Sequence, residues 1–382
     1  MIIITIMASL SILYIIPLSI SLLLLATFNL AESKTCFINA IYSFGDSIAD
    51  TGNLLREGPI GFFSGIGNFP YGETYKKSTG RCSDGLLMID FFASALNISF
   101  INPYLDDSAD FNNGVNFAVA GATALDKSFF LEKGIYMPLT SPLNVQLGWF
   151  KEHLNSTCSS QPDNCAKNLG QTLFLVGEIG GNDYNYAFLQ GRSMDEVKSY
   201  VPQVVQSIID ASKEVIRLGG VQLVVPGNLP VGCSPSYLTE FSSSEPEAFD
   251  ERNCLKTYNS FSVYHNTQLQ AALDDLRDAY PDVTIMYADY YQAFLHLLDE
   301  ASDLGFKQDS LLKACCGAGG EYNFDISLNC GSPGTNICSD PTQYISWDGI
   351  HLTQKAYKIM AESLIMEGFA YPNNRVQEMW EC

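Results

Sequence analysis

Positive charge is scarce in this chain: 21 Lys and Arg stand against 42 Asp and Glu, for a formal net charge of −21. No Lys/Arg-rich run relieves that deficit, so phosphate backbones and anionic membrane surfaces are repelled and nucleic acid is excluded as a partner. Charge of either sign is sparse at 16 %, while 47 % of the residues are hydrophobic, which excludes a disordered chain and supplies a large core. Internal repeats, low-complexity tracts and an interdomain linker are also missing; Ser242–Glu247 reads as a polar surface loop. No Cys-x2-Cys or His-x3-His spacing occurs, so no metal site is expected, and no cofactor is implied.

The first 31 residues, Met1–Ala31, carry no charged side chain. Such a run is long enough to cross a bilayer, which takes about 20 residues. Its N-terminal position and the small-x-small pattern Ala31-Glu32-Ser33 favour a removable secretory signal over residues 1–33, leaving 34–382 as a single domain. All 11 cysteines follow that segment, and Asn97-Ile98-Ser99 and Asn155-Ser156-Thr157 are glycosylation sequons at Asn97 and Asn155, both features of a secretory route. Extracellular space, vacuole and ER lumen are equally compatible with it. An odd cysteine count leaves at least one thiol free or paired outside the chain. Cys158 and Cys165 enclose a short polar loop and are the expected disulfide, while Cys315, Cys316, Cys330 and Cys338 read as staples of a Gly/Asn-rich segment with little core of its own.

Short apolar runs recur along the chain: Ile38–Phe44, Val115–Ala120, Leu173–Ile179, Val221–Val225 and Val283–Tyr287 read as buried strands. Amphipathic stretches lie between them. Met194–Leu218 sets Val197, Val201, Val204, Val205, Ile208, Ile209, Val215 and Ile216 on one helical face before Gly219-Gly220, and Val263–Tyr280 and Thr353–Met366 behave alike. The alternation predicts an α/β fold, a three-layer α/β/α sandwich around a parallel sheet of about five strands. Ligands of such sheets bind beyond the carboxyl ends of the strands, so functional residues belong just after the apolar runs.

The first strand runs into Gly45-Asp46-Ser47, which presents a serine hydroxyl at the rim of the sheet, unless Asp46 or Ser47 merely caps the next segment. A serine nucleophile needs a base. Of four histidines, His153, His265 and His296 fall in helical runs and are expected at the surface or its boundary; His351 lies in a turn three residues after Asp348. That spacing lets Asp348 accept the Nδ1 proton and leaves Nε2 for a hydroxyl, although Asp348 could equally cap the following helix. Gly121 and Asn182, at two further strand ends, offer an amide N–H and a side-chain NH₂ to an oxyanion, with a glycine turn and an Asx turn as the plain structural alternatives.

Phe44-Gly45-Asp46-Ser47, Gly121, Gly181-Asn182-Asp183 and Asp348-Gly349-Ile350-His351 follow the order of the sequence blocks of the GDSL lipase/esterase family, the SGNH hydrolases, which the chain resembles over residues 40–366. The resemblance implies a flavodoxin-like sandwich, with Ser47 as nucleophile, Asp348 and His351 completing a triad, and Ser47, Gly121 and Asn182 forming the oxyanion hole. Asn68-Phe69-Pro70-Tyr71-Gly72-Glu73-Thr74, Gly80-Arg81-Cys82-Ser83-Asp84-Gly85 and Cys315-Cys316-Gly317 with Tyr322-Asn323 look like the plant branch of the family, and Gly114–Asp126 is similar to its alkaloid-deacetylating esterases. Ile48 replaces the leucine of the family name, and Ala120-Gly121 replaces a paired glycine, which leaves the donor position filled.

No Gly-x-Ser-x-Gly elbow of the usual α/β-hydrolases occurs. A non-catalytic binding protein on the same sheet would not need these five residues at strand ends. The expected reaction is hydrolysis of a small-molecule ester, such as an acetyl ester of a plant specialised metabolite, by a secretory-pathway serine esterase. The same residues would also serve acyl transfer or a lipase acting on longer chains. Phe62-Phe63, Phe69-Pro70-Tyr71, Phe129-Phe130 and Tyr184-Asn185-Tyr186 are expected to line an apolar cleft unless they are plain core. A monomer is expected, without stable membrane association once the signal is removed.

Overall fold

Leu173 and Leu175 face one layer of core while Phe174 and Val176 face the other, the two-residue period of a strand buried on both sides. The computed structural model describes residues 38–59, 61–138, 141–159 and 162–372. The expected signal segment, Cys36 and Cys382 lie outside these residues.

Five parallel strands, β1 (Ala40–Phe44), β2 (Gly114–Asn116), β3 (Thr172–Val176), β4 (Gln222–Pro226) and β5 (Thr284–Ala288), form the sheet. A separate two-stranded piece pairs β6 (Cys316–Gly317) with β7 (Asn336–Ile337). β8 (Ala370–Tyr371) adds an antiparallel edge beside β5, giving the order β2-β1-β3-β4-β5-β8. This two-residue edge is too short to carry a periodic signal. β2 is shorter than the apolar run that marked it: Phe117 and Val119 still donate to the carbonyls of Ser43 and Gly45 (2.7 and 3.1 Å), but Asn53 Nδ2 captures the carbonyls of Asn116 and Ala118 (2.8 and 2.9 Å).

Helices cover both faces of the sheet. Leu143–Cys158, Val201–Arg217 and Lys256–Ala279 bury Phe150, Val204, Ile208, Phe261, Leu269 and Leu273 on one side. Met88–Ala95, Tyr290–Asp299 and Gln354–Met366 bury Ile89, Phe92, Leu297, Tyr357 and Met360 on the other. Each such side chain contributes roughly 1.5–3 kcal/mol of transfer free energy. The long periodic stretch from Met194 breaks into Met194–Lys198 and Val201–Arg217, with Pro202 in the first turn of the second helix, where its missing N–H costs nothing. Thr353 is the N-cap expected of it, accepting the Ala356 N–H at 3.3 Å.

The expected Cys158–Cys165 disulfide is present, and Cys315–Cys338 and Cys316–Cys330 staple the Gly/Asn-rich segment. Cys233–Cys254 was not foreseen, because no local pattern links two loops 21 residues apart. Cys82 is a buried free thiol.

Strand order reverses at β1, since the chain passes from β1 to β2 on one side and then crosses to β3 on the other. A crevice therefore opens beyond the carboxyl ends of β1 and β3, where Ser47 and Asn182 follow.

Candidate active site

Ser47 sits on the turn that leaves β1. Gly45 there has φ +138°, and a Cβ on it would lie 2.9 Å from the carbonyl oxygen of Glu178, so a side chain is excluded on both counts. Gln146 clamps this glycine, its Oε1 accepting the Gly45 N–H (2.9 Å) and its Nε2 donating to the Gly45 carbonyl (2.8 Å). Asp50 Oδ2 accepts the N–H groups of Leu54 (3.0 Å) and Ala120 (2.8 Å), tying the serine loop to the one that carries Gly121.

The turn Ser346–Thr353 delivers the other two groups. Trp347 N–H donates to the His351 carbonyl (2.7 Å), closing the turn, and Cys315 and Cys316 N–H donate to the carbonyls of Ser346 (3.0 Å) and Trp347 (2.7 Å). The stapled Cys-Cys segment thus braces this turn from outside.

Ser47 Oγ and His351 Nε2 are 2.8 Å apart, and His351 Nδ1 and Asp348 Oδ2 are 2.7 Å apart. A carboxylate at Nδ1 puts the imidazole proton there and leaves the Nε2 lone pair for the serine hydroxyl. Burial would raise the Asp348 carboxyl, but the His351 ring and hydrogen bonds from His351 and Tyr71 outweigh it and hold the group below the usual carboxylate range. Phe62 and Phe63 lie with ring centroids 6.2 and 6.1 Å from the imidazole and cover it.

The backbone N–H groups of Ser47 and Gly121 have no acceptor among the described residues. Asn182 differs: its Nδ2 donates to Asp46 Oδ2 and to the Ala122 carbonyl, both at 3.0 Å, so serving an oxyanion requires exchanging one of those acceptors. Ser47, Asn182 and His351 line one apolar cavity of about 180 Å³. Gly121 stands just outside that lining, joined to it by the Tyr186 hydroxyl, which donates to its carbonyl (2.8 Å). A larger hollow of about 1140 Å³ lies at the opposite end of the sheet, beside the starts of β1, β2 and β3, where the His153 ring meets Tyr42.

Sequence reasoning missed a buried acidic cluster at the cavity wall, which Asp46 and Glu178 line. Burial raises Asp46 well above the ordinary range, with Glu178 beside it adding to the rise; burial likewise raises Glu178, and carries Asp183 up to about 7. In the folded protein these groups hold protons that the unfolded chain releases at the ordinary carboxylate value, so stability falls as pH rises, for Glu178 and Asp183 through a window that closes at about 7. Glu178→Gln keeps a side-chain oxygen to accept the proton of Asp46 but cannot ionise. It should flatten the decline by about 1–3 kcal/mol in a series of thermal melts from pH 4.5 to 8. Parallel declines in the two proteins would contradict this reading.

Two expectations need correction. His153 and His265 are buried, not surface or boundary residues, because each meets a tyrosine hydroxyl inside the core: Tyr42 at 3.2 Å and Tyr184 at 2.7 Å. Burial pushes His265 down to about 3. Of the aromatic stretches, Phe62, Phe63 and Tyr186 do line the cavity. Tyr184 and Phe130 are core, Phe129 packs on Tyr200, Phe69 is 61 % exposed, and Tyr71 turns inward to Asp348.

The profile of the GDSL-like lipase/acylhydrolase family matches residues 41–364. Acetylajmalan esterase 1 of Rauvolfia serpentina is 47 % identical over 332 residues, 86 % of this chain and 86 % of that protein. Sinapine esterase of Brassica napus is 45 % identical over 346 residues, 90 % of this chain and 88 % of its own length. A GDSL esterase/lipase of Arabidopsis thaliana is 45 % identical over 367 residues, 95 % of this chain and 89 % of its own.

Proposed function

Since the chain belongs to the GDSL-like lipase/acylhydrolase family and is a carboxylic ester hydrolase, we propose that it works through an acyl-serine intermediate on Ser47, with His351 as general base and Asp348 as its partner. The observation that carries this is the continuous path from the Ser47 hydroxyl through the imidazole to a buried carboxylate, in two contacts of 2.8 and 2.7 Å at the wall of an apolar cavity.

As Ser47 Oγ attacks the ester carbonyl carbon, His351 Nε2 takes its proton and the carbonyl oxygen becomes an oxyanion. The N–H groups of Ser47 and Gly121 hold that charge, joined by Asn182 once it releases the Ala122 carbonyl. Collapse of the adduct breaks the bond to the alcohol, which leaves with the proton from His351. Water then attacks the acyl-enzyme and gives its proton to His351, which returns it to Ser47 as the acid departs. Asp348 stays ionised throughout.

A cavity of about 180 Å³ is smaller than the roughly 300–1,000 Å³ of sites that enclose a drug-sized ligand, which favours a short acyl group inside with the alcohol towards the opening. Two relatives are named for acetylajmalan and for sinapine, which supports an ester of a specialised metabolite such as an alkaloid. The four disulfides among the described residues and the exposed sequon residues Asn97 and Asn155 support a secretory route, with residues 1–33 removed and both asparagines glycosylated. The test is a chain-length series: kcat/KM for p-nitrophenyl acetate should exceed that for the octanoate at least about tenfold, the discrimination a snug apolar pocket supplies. An octanoate preference would favour the lipase reading, and an added alcohol that captures most of the acyl group would favour transfer.

A further inference from the structure

The side chain of Asp348 is fully buried and receives four hydrogen bonds. Three come from its own turn: the N–H groups of Ile350 (3.1 Å) and His351 (2.8 Å) reach Oδ1, and His351 Nδ1 reaches Oδ2. The fourth comes from 277 residues away, the Tyr71 hydroxyl donating to Oδ2 at 2.8 Å. One carboxylate oxygen is therefore shared between the imidazole that changes charge during the reaction and a phenol that does not. We propose that Tyr71 is a positioning residue of the hydrolytic site: it aims Asp348 at His351 and draws charge from the shared oxygen, setting how strongly the carboxylate favours an imidazolium. The proposal rests on reading Ser47, His351 and Asp348 as a triad.

The surroundings of Tyr71 suit a fixed donor. It is 1 % exposed, and its ring meets Trp347, the neighbour of Asp348, edge-on at 6.1 Å. The peptide that follows it is held at both ends, with Ser78 Oγ donating to the Tyr71 carbonyl and the Gly72 N–H donating to the Ser83 carbonyl, each at 3.0 Å. Thr74 N–H donates to the Asp84 carbonyl (2.8 Å), and Asp84 Oδ1 accepts the Gln354 N–H (2.7 Å) in the first turn of the helix after His351. The buried Arg81–Asp90 ion pair (2.7 Å) pins this strip to the helix Met88–Ala95. The segments 68–74 and 80–85 thus grip the turn that carries the base from both ends, Tyr71 at Asp348 and Asp84 at Gln354. Burial, reinforced by the negative charge of Asp348, pushes the Tyr71 phenol well up, so it remains a donor at any working pH.

Tyr71→Phe removes only the hydroxyl. With the shared oxygen facing the imidazole alone, the imidazolium gains stability, so the acid limb of kcat/KM should move to higher pH by about half a unit. kcat should fall on the order of tenfold, the range expected when a buried hydrogen bond to a charged group is lost, with KM within about twofold. The burst of p-nitrophenol from p-nitrophenyl acetate counts competent sites and should match that of the unaltered protein. Replacing Tyr71 by 3-fluorotyrosine, a stronger donor of the same shape, should move the acid limb the other way, and it keeps the test alive if Tyr71→Phe does not fold. An acid limb that stays put in both variants overturns the proposal, as does a kcat loss matched by an equal loss of burst sites. If Ser47→Ala retains activity, the triad reading itself has failed; if Ser47 is required and the limb does not move, only the role of Tyr71 has.

Discussion

Ser47→Ala should lower kcat for p-nitrophenyl acetate on the order of 10⁵- to 10⁶-fold, the loss found when the nucleophile of a triad is removed. The side chain of Ser47 has one partner, His351 Nε2, so alanine there strands no other buried group and fold and thermal stability should be retained. What activity persists would come from the N–H groups of Ser47 and Gly121, which act on a carbonyl attacked directly by water. Turnover above a tenth of the original, in protein with an unchanged melting temperature, would remove Ser47 from the mechanism.

The second large effect is expected from Asp348→Asn. All four hydrogen bonds reaching this carboxylate come from donors, two at each oxygen. An amide must set its NH₂ on one side. Placed at Oδ1, it meets the N–H groups of Ile350 and His351. Placed at Oδ2, it donates to His351 Nδ1, moves the ring proton to Nε2 and leaves Ser47 facing a donor where it needs an acceptor. The first arrangement sets two buried donors against a third, so the second prevails and disables the base, and the expected loss in kcat is about 10³- to 10⁴-fold with Ser47 still in place. Stopped-flow acylation by p-nitrophenyl acetate separates this from misfolding, because a slow but stoichiometric burst reports intact sites. A loss below tenfold would show that His351 does not depend on the carboxylate for its tautomer.

What could be read from the chain beforehand has a common character. Ser47, Asn182 and the strands before them were legible because a fully buried strand leaves an unbroken apolar run, and the residues that line the cavity follow where that run stops. Asp348 and His351 were legible as a pair because three residues of turn bring them together locally. Other residues of the site act across long separations. Gln146 clamps Gly45 from 101 residues away, Tyr71 reaches Asp348 from 277, and Glu178 matters only because burial puts its carboxyl beside Asp46. None of these leaves a periodic or spacing signal. Tyr71 and Asp84 stood within segments whose likeness to a family branch was visible, yet their contacts with the turn of Asp348 and His351 emerge only from the fold. His265 was misplaced for a related reason: helical position says which face a residue occupies, but not that a tyrosine on another helix waits there to satisfy it.

The most direct test of the account is covalent. A fluorophosphonate ester incubated with the full-length protein should phosphonylate one residue, and peptide mass spectrometry should place the adduct on Ser47, with loss of activity proportional to labelling. Inactivation with the adduct on another residue, or complete labelling of Ser47 with turnover undiminished, would contradict the claim that this hydroxyl attacks the ester.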